Sequence, residues 1–203
     1  MVKVEKDRNA AENDCTIIVK QEISLVQQFK SSGMFRIGTS GYIYKHWKGV
    51  VYPEGMPQKK WFEHYTQIFD TVEINNTFYR LPSHEVFESW RDQAPEGFCY
   101  ALKFSRFGTH LKRLKDPDQP ISLFIDRSVR LGKHLIGPIL VQLPPKFDMN
   151  VERLGDFLQE GKVGIERRNL YCFCYTRWYK SWCTWCDIFK RCNVFFQASS
   201  VLD

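Results

Sequence analysis

From Met34 onward the chain switches repeatedly between two hydrophobic periods. Short β-rich runs alternate with longer stretches in which apolar residues recur every three or four positions. Phe35-Arg36-Ile37-Gly38-Thr39-Ser40-Gly41 reads as a strand running into a Gly-rich turn. Lys60 to Phe69 carries Trp61, Phe62, Tyr65, Ile68 and Phe69 at helical spacing. Thr71 to Asn75 is the second strand, and Ser83 to Gln93 the second helix, with Ser83 placed to cap it and Val86, Phe87 and Trp90 on one face. Phe98 to Phe104 is a third strand and Pro120 to Lys133 a third helix. Ile139 to Leu143, stopped by Pro144-Pro145, is a fourth strand, and Val151 to Gln159 opens a fourth helix. Four strand-helix alternations predict an α/β fold with a parallel sheet, as an open doubly wound sheet or as a closing barrel. Neither a G-x-G-x-x-G turn nor a P-loop is present, which lowers the weight of the nucleotide-binding versions.

Parallel β/α folds bind ligands at the carboxyl ends of their strands, and polar residues gather there. Strand one ends in Ser40 and Tyr42, with His46 shortly after. Strand two carries Glu73 and Asn75, then Tyr79 and Arg80. Strand three ends in Lys103, with His110 in the basic stretch that follows, and strand four ends in Gln142. The period of a strand puts Glu73 and Asn75 on one face, opposite Val72 and Ile74, and puts Lys103 on a face with Ala101. A carboxylate and an ammonium inside a barrel would need each other, so Glu73 and Lys103 are expected to be neighbours. They are the candidate catalytic pair, as acid or base and as stabiliser of negative charge. Ser40, Tyr42, His46, Asn75, Tyr79, His110 and Gln142 are the candidate ligand-binding residues. A buried ion pair that merely fixes strand register is the competing reading. No spacing among these residues calls for a metal, and no cofactor is indicated.

Composition narrows the class. The chain has 203 residues, 43% hydrophobic and 26% charged, which suits one globular domain. No apolar run approaches the roughly 18 residues of a membrane span, and the opening residues lack a secretory h-region. The expectation is a cytoplasmic protein with reduced thiols. The net charge of +6 admits an anionic partner, with nucleic acid not excluded, but a mild Lys/Arg excess on a soluble surface explains it as well.

The motifs Ile37-Gly38-Thr39-Ser40-Gly41-Tyr42, His46-Trp47, Val72-Glu73-Ile74-Asn75, Thr77-Phe78-Tyr79-Arg80-Leu81-Pro82, Ala101-Leu102-Lys103, Thr109-His110 and Gly137-Pro138-Ile139-Leu140 to Pro145, in this order, resemble the YecE-like family, domain of unknown function 72. The resemblance covers about Phe35 to Gln159. It implies a TIM-barrel-type fold with a polar cavity at the strand ends and brings no established activity.

The expected organisation is an extension over 1–33, a barrel portion over 34–160 and a divergent tail over 161–203. Within the extension, Cys15 to Phe29 has helix-like apolar content. Gly164 to Arg168 only faintly echoes the Glu-Phe-Arg strand end that the resemblance leads one to expect. The tail is dense in Cys and Trp: Cys172, Cys174, Cys183, Cys186 and Cys192 have thiolate spacings that suit zinc, but the abrupt composition shift favours a tail without a selected site. About four β/α units fit before it, so the expectation is a partial, truncated barrel. The chain would bind or transform a small polar or phosphorylated, sugar-like molecule. The alternatives are an anionic-ligand or nucleic-acid binder without catalysis, or an inactive truncated product.

Overall fold

The computed structural model describes residues 36–145, 147–148 and 150–164, and the backbone alone at 162–164, 171–174 and 194–197. The extension with its Cys15 to Phe29 segment, residues 165–168 of the faint family echo, and most of the Cys/Trp-rich tail lie outside the described residues.

The strands are β1 (Arg36–Ser40), β2 (Thr71–Ile74), β3 (Cys99–Lys103), β4 (Ile136–Gln142), β5 (Tyr171–Cys174) and β6 (Val194–Gln197). The helices are α1 (Trp61–Ile68), a single turn α2 (Asn76–Tyr79), α3 (His84–Gln93), α4 (Asp118–Ser128) and α5 (Val151–Gly164). All neighbouring strands run parallel, in the order β5-β4-β3-β2-β1-β6. The four expected strand-helix units are therefore present and adjacent in chain order. Two further strands fall in the segment where the sequence pattern shows no continuing alternation. One extends the sheet beyond β4, and the other returns beside β1.

Boundaries shift where backbone chemistry overrides hydrophobic period. The third helix starts before Pro120, because proline is tolerated in a first turn whose N–H groups have no helical partner. It ends at Ser128 and continues as a 3₁₀ turn over Val129–Leu131. β4 begins three residues earlier than its apolar run, at Ile136, and so contains Pro138. The β3–β4 register slips there: Tyr100 pairs with Ile136 but Leu102 with Ile139. A bulge is where a strand accommodates a residue that has no N–H to donate.

Alternation along the strands separates two faces. Ile37 and Thr39, Val72 and Ile74, Tyr100 and Leu102, and Ile139 and Val141 face the helices. Of these, Val72, Ile74, Tyr100, Leu102, Ile139 and Val141 join Trp61, Phe62, Tyr65, Phe87, Phe124 and Phe157 in the apolar core. The Tyr65 hydroxyl donates to the Thr71 carbonyl at 2.9 Å and accepts from the Thr39 backbone N–H at 3.0 Å, tying α1 across β1 and β2. On the opposite face the register aligns Gly38 with Thr71 and Cys99, and one pleat later Ser40 with Glu73 and Ala101. The first of these rows is closely packed. A Cβ on Gly38 would run into the Thr71 carbonyl, so glycine is required there for space between the strands.

Two substitutions test this row. Gly38→Ala should cost about 3 kcal/mol or more, because rigid backbone cannot yield. The Thr71 hydroxyl is fully buried and has no hydrogen-bond partner among the described residues. Thr71→Val should therefore leave stability unchanged or raise it by up to about 1 kcal/mol. Urea unfolding of the two variants reads both, and a Thr71→Val loss above 1 kcal/mol would show that the hydroxyl is satisfied in solution.

Candidate functional site

Because every strand runs parallel, the carboxyl ends of β1 to β4 lie along one edge, and the polar residues of the open face meet there. Glu73 is only 7% exposed. Its Oε1 accepts a hydrogen bond from the Ser40 hydroxyl at 2.6 Å. Ser40 Oγ accepts from Asn75 Nδ2 at 2.8 Å, and Asn75 Oδ1 accepts from Lys103 Nζ at 3.4 Å. Four side chains from three strand ends thus form one chain of bonds.

Chemistry dictates the direction of that chain. An ammonium has donors and no acceptor, so the Asn75 amide must turn its oxygen toward Lys103. Its NH₂ is then committed to Ser40. The Ser40 hydroxyl, already accepting, spends its single hydrogen on Glu73. Every bond donates toward the carboxylate, which holds Glu73 as the acceptor at the end of the relay.

Sequence reasoning expected Glu73 and Lys103 to sit side by side. The register prevents it: Glu73 is level with Ala101, and Lys103 lies one pleat further along β3. The two charges are joined through Asn75 and Ser40, and neither has an ion-pair partner within 4.0 Å among the described residues.

The other candidates are placed around this relay in different ways. Lys103 Nζ stands over the Phe78 ring at 5.2 Å, and the His110 ring meets the same ring edge-on at 5.1 Å. His110 comes from a π-helical turn, Phe107–Leu111, in the β3–α4 loop. Burial and the nearby Arg106 and Lys103 charges hold its pKa below the ordinary histidine value. Tyr79 packs against Phe78 at 5.0 Å but is 74% exposed. Gln142 is the last residue of β4, on the face of Leu140, which pairs with Lys103. Tyr42 and His46 are not brought to the relay. The Tyr42 ring packs on Phe62 and Tyr65 of α1, at 5.1 and 5.7 Å, where burial raises its pKa. His46 sits exposed in the 3₁₀ turn Lys45–Trp47, beside Tyr44 at 5.5 Å. Tyr44 in turn donates its hydroxyl hydrogen to the Ser40 carbonyl.

Sequence reasoning passed over the roles of Phe78 and Thr77. Phe78 is the common platform for Lys103 and His110. Thr77, fully buried, takes the Lys103 backbone N–H at 3.2 Å and lies 2.7 Å from the Lys103 carbonyl, which fixes the end of β3. Their signal was the unbroken polar-aromatic run directly after Asn75. No group of metal-ligating side chains forms among the described residues, and no described helix is long and apolar enough to cross a membrane.

Comparison with known proteins assigns the family and the fold. The family model described as "Protein of unknown function DUF72" matches residues 36–182. The chain belongs to the DUF72 family. The match runs past Gln159 and takes in β5, inside the segment that composition alone sets apart. UPF0759 protein YecE of Escherichia coli (strain K12) is 34% identical over 130 residues, covering 57% of this chain and 47% of that protein. The chain therefore spans about half the length of the curated relative. A DUF72 family protein from Thermotoga maritima MSB8 superposes with a TM-score of 0.60 at 25% identity, over 80% of this chain and 64% of the other. One from Enterococcus faecalis V583 gives 0.56 at 18% identity, over 72% and 53%. With these DUF72 neighbours, the parallel sheet is a partial TIM-like β/α barrel.

Two outcomes follow from the relay and its surroundings. Ser40→Ala removes the only side-chain donor to the buried Glu73 carboxylate among the described residues and should cost about 1.5–3 kcal/mol in urea unfolding, while Ser40→Thr should cost less. Equal losses for both would mean that packing, not the hydroxyl, matters. His110 is protonated more readily in the unfolded chain than in the folded one. Its contribution should therefore destabilise the fold as pH falls below the ordinary histidine value and level off below the folded pKa. An NMR titration giving His110 an ordinary or raised pKa would contradict this.

Proposed function

We propose that this DUF72 chain binds a small polar or phosphorylated molecule, of sugar-like character, at the carboxyl ends of its barrel strands and acts on it through Glu73. The observation that carries the reading is the relay itself: a carboxylate almost removed from water, held as an acceptor by three donors in series, with no cation against it among the described residues. A buried structural ion pair would place the opposite charge in contact. Here the carboxylate keeps acceptor capacity for a substrate hydroxyl, and a proton could pass to it. Lys103, at the far end, would stabilise negative charge that develops on the same molecule. Asn75 and Gln142 would orient it.

A nucleic-acid reading rests on the basic loop from Arg106 to Lys115. Its cations are partly engaged within the fold: Lys112 pairs with Asp116 at 3.2 Å, and Arg113 lies over the Phe147 ring at 5.0 Å. That arrangement favours the small-molecule reading.

Thermal-shift screening of polyols and sugar phosphates should identify a stabilising compound. Glu73→Gln should then lower turnover of that compound about 100- to 10,000-fold, the range expected for a lost general acid or base. Wild-type turnover and binding in Glu73→Gln would reject the role.

A further inference from the structure

We infer that the mouth of the barrel carries an oxyanion subsite made by Lys103, Arg106 and His110, and that it receives the phosphate group of the bound molecule. This deepens the proposed function and rests on it.

The subsite is distinct from the carboxylate end of the relay. Lys103 and His110 come from separate places in the chain, one from the end of β3 and one from the loop after it, yet both contact the Phe78 ring. The loop is folded back to achieve this. The Ser105 carbonyl accepts the backbone N–H groups of Gly108 and Thr109 at 3.1 and 3.2 Å, and Ser105 Oγ accepts that of Phe107 at 3.1 Å. Thr109 Oγ1 lies 3.2 Å from the Ser105 carbonyl and 2.9 Å from His110 Nδ1, which anchors the ring. With Nδ1 engaged by Thr109, Nε2 is the ring nitrogen left to meet a ligand. The imidazole thus shares a ring platform with an ammonium whose charge opposes its protonation.

Among the described residues, Lys103 and Arg106 have no carboxylate partner. Lys103 is partly buried, and Arg106 is exposed and stands four residues before His110 on the same helical turn, the spacing that brings side chains together on one face. Neither has a carboxylate within 4.0 Å among the described residues, although His84, Arg91, Lys112, Arg127 and Arg130 all do. Lys103 has one long bond to an amide oxygen and the face of an aromatic ring, a weak set for an ammonium partly out of water. An anion placed between these groups would supply what each lacks. Phosphate suits them better than a carboxylate. It offers three acceptor oxygens to three donors, and its second ionisation near pH 6 overlaps that of histidine, so charge can build on both together.

The experiment is a titration of the full chain with inorganic phosphate at pH 6.5 and constant ionic strength, following the histidine ring signals by NMR. Saturable shifts confined to His110, with its pKa raised by about one unit, are expected, while His84 and His134 stay still. Lys103→Met and Arg106→Gln should each weaken phosphate binding about tenfold. Arg106 is exposed, so its variant tests the subsite even if Lys103→Met fails to fold. Non-saturable shifts, equal movement of all histidines, unweakened binding by Arg106→Gln, or a stronger response to a short oligonucleotide than to phosphate would each overturn the subsite. The two readings fail separately. Without the His110 response but with a stabilising compound whose turnover depends on Glu73, only the subsite is lost. With the response but wild-type turnover in Glu73→Gln, the catalytic role of Glu73 is lost.

Discussion

An ammonium group can only donate hydrogen bonds, and the order of the strand-end cluster depends on that asymmetry. Lys103 sets the orientation of the Asn75 amide, the amide sets the role of the Ser40 hydroxyl, and the hydroxyl is left to serve Glu73. Reversing any one bond would set two donors or two acceptors face to face. The relay therefore links a lysine on β3 to a carboxylate on β2 without contact between them.

The relay exists because of register. Parallel pairing puts Ser40 level with Glu73 and sets Lys103 one pleat beyond it. The row beneath, with Gly38 against the Thr71 carbonyl, draws β1 and β2 together closely enough for a serine to reach the glutamate. On the other face, Tyr65 locks the same two strands to α1. The two faces act on the same pair of strands, so core packing and site geometry are not independent.

Much of this was legible in the chain. Alternating periods gave four strands and their helices, the strand ends picked out Ser40, Glu73, Asn75 and Lys103, and period two put Glu73 with Asn75 and Lys103 with Ala101. What escaped has specific physical causes. Tyr42 would share a face with Ser40 if the strand continued, but Gly41 adopts a φ of +85°, and the alternation ends there. The chain enters a helical turn at Asn76, so Phe78 follows no strand period and becomes a platform for charge. The direct Glu73–Lys103 pairing was inferred from electrostatic need alone, which says nothing of register. β5 and β6 are short apolar runs in a segment whose cysteines and tryptophans dominate its composition, and only pairing with β4 and β1 identifies them as strands.

The central claim is the direction of the relay, and neutron diffraction from a deuterium-exchanged crystal reads it directly. The account predicts the Ser40 deuteron between Oγ and Glu73 Oε1, the Asn75 ND₂ group toward Ser40, and the Asn75 carbonyl oxygen toward a fully deuterated Lys103 ammonium. A Ser40 deuteron directed at Asn75, or a Glu73 oxygen carrying the deuteron of that bond, would contradict it.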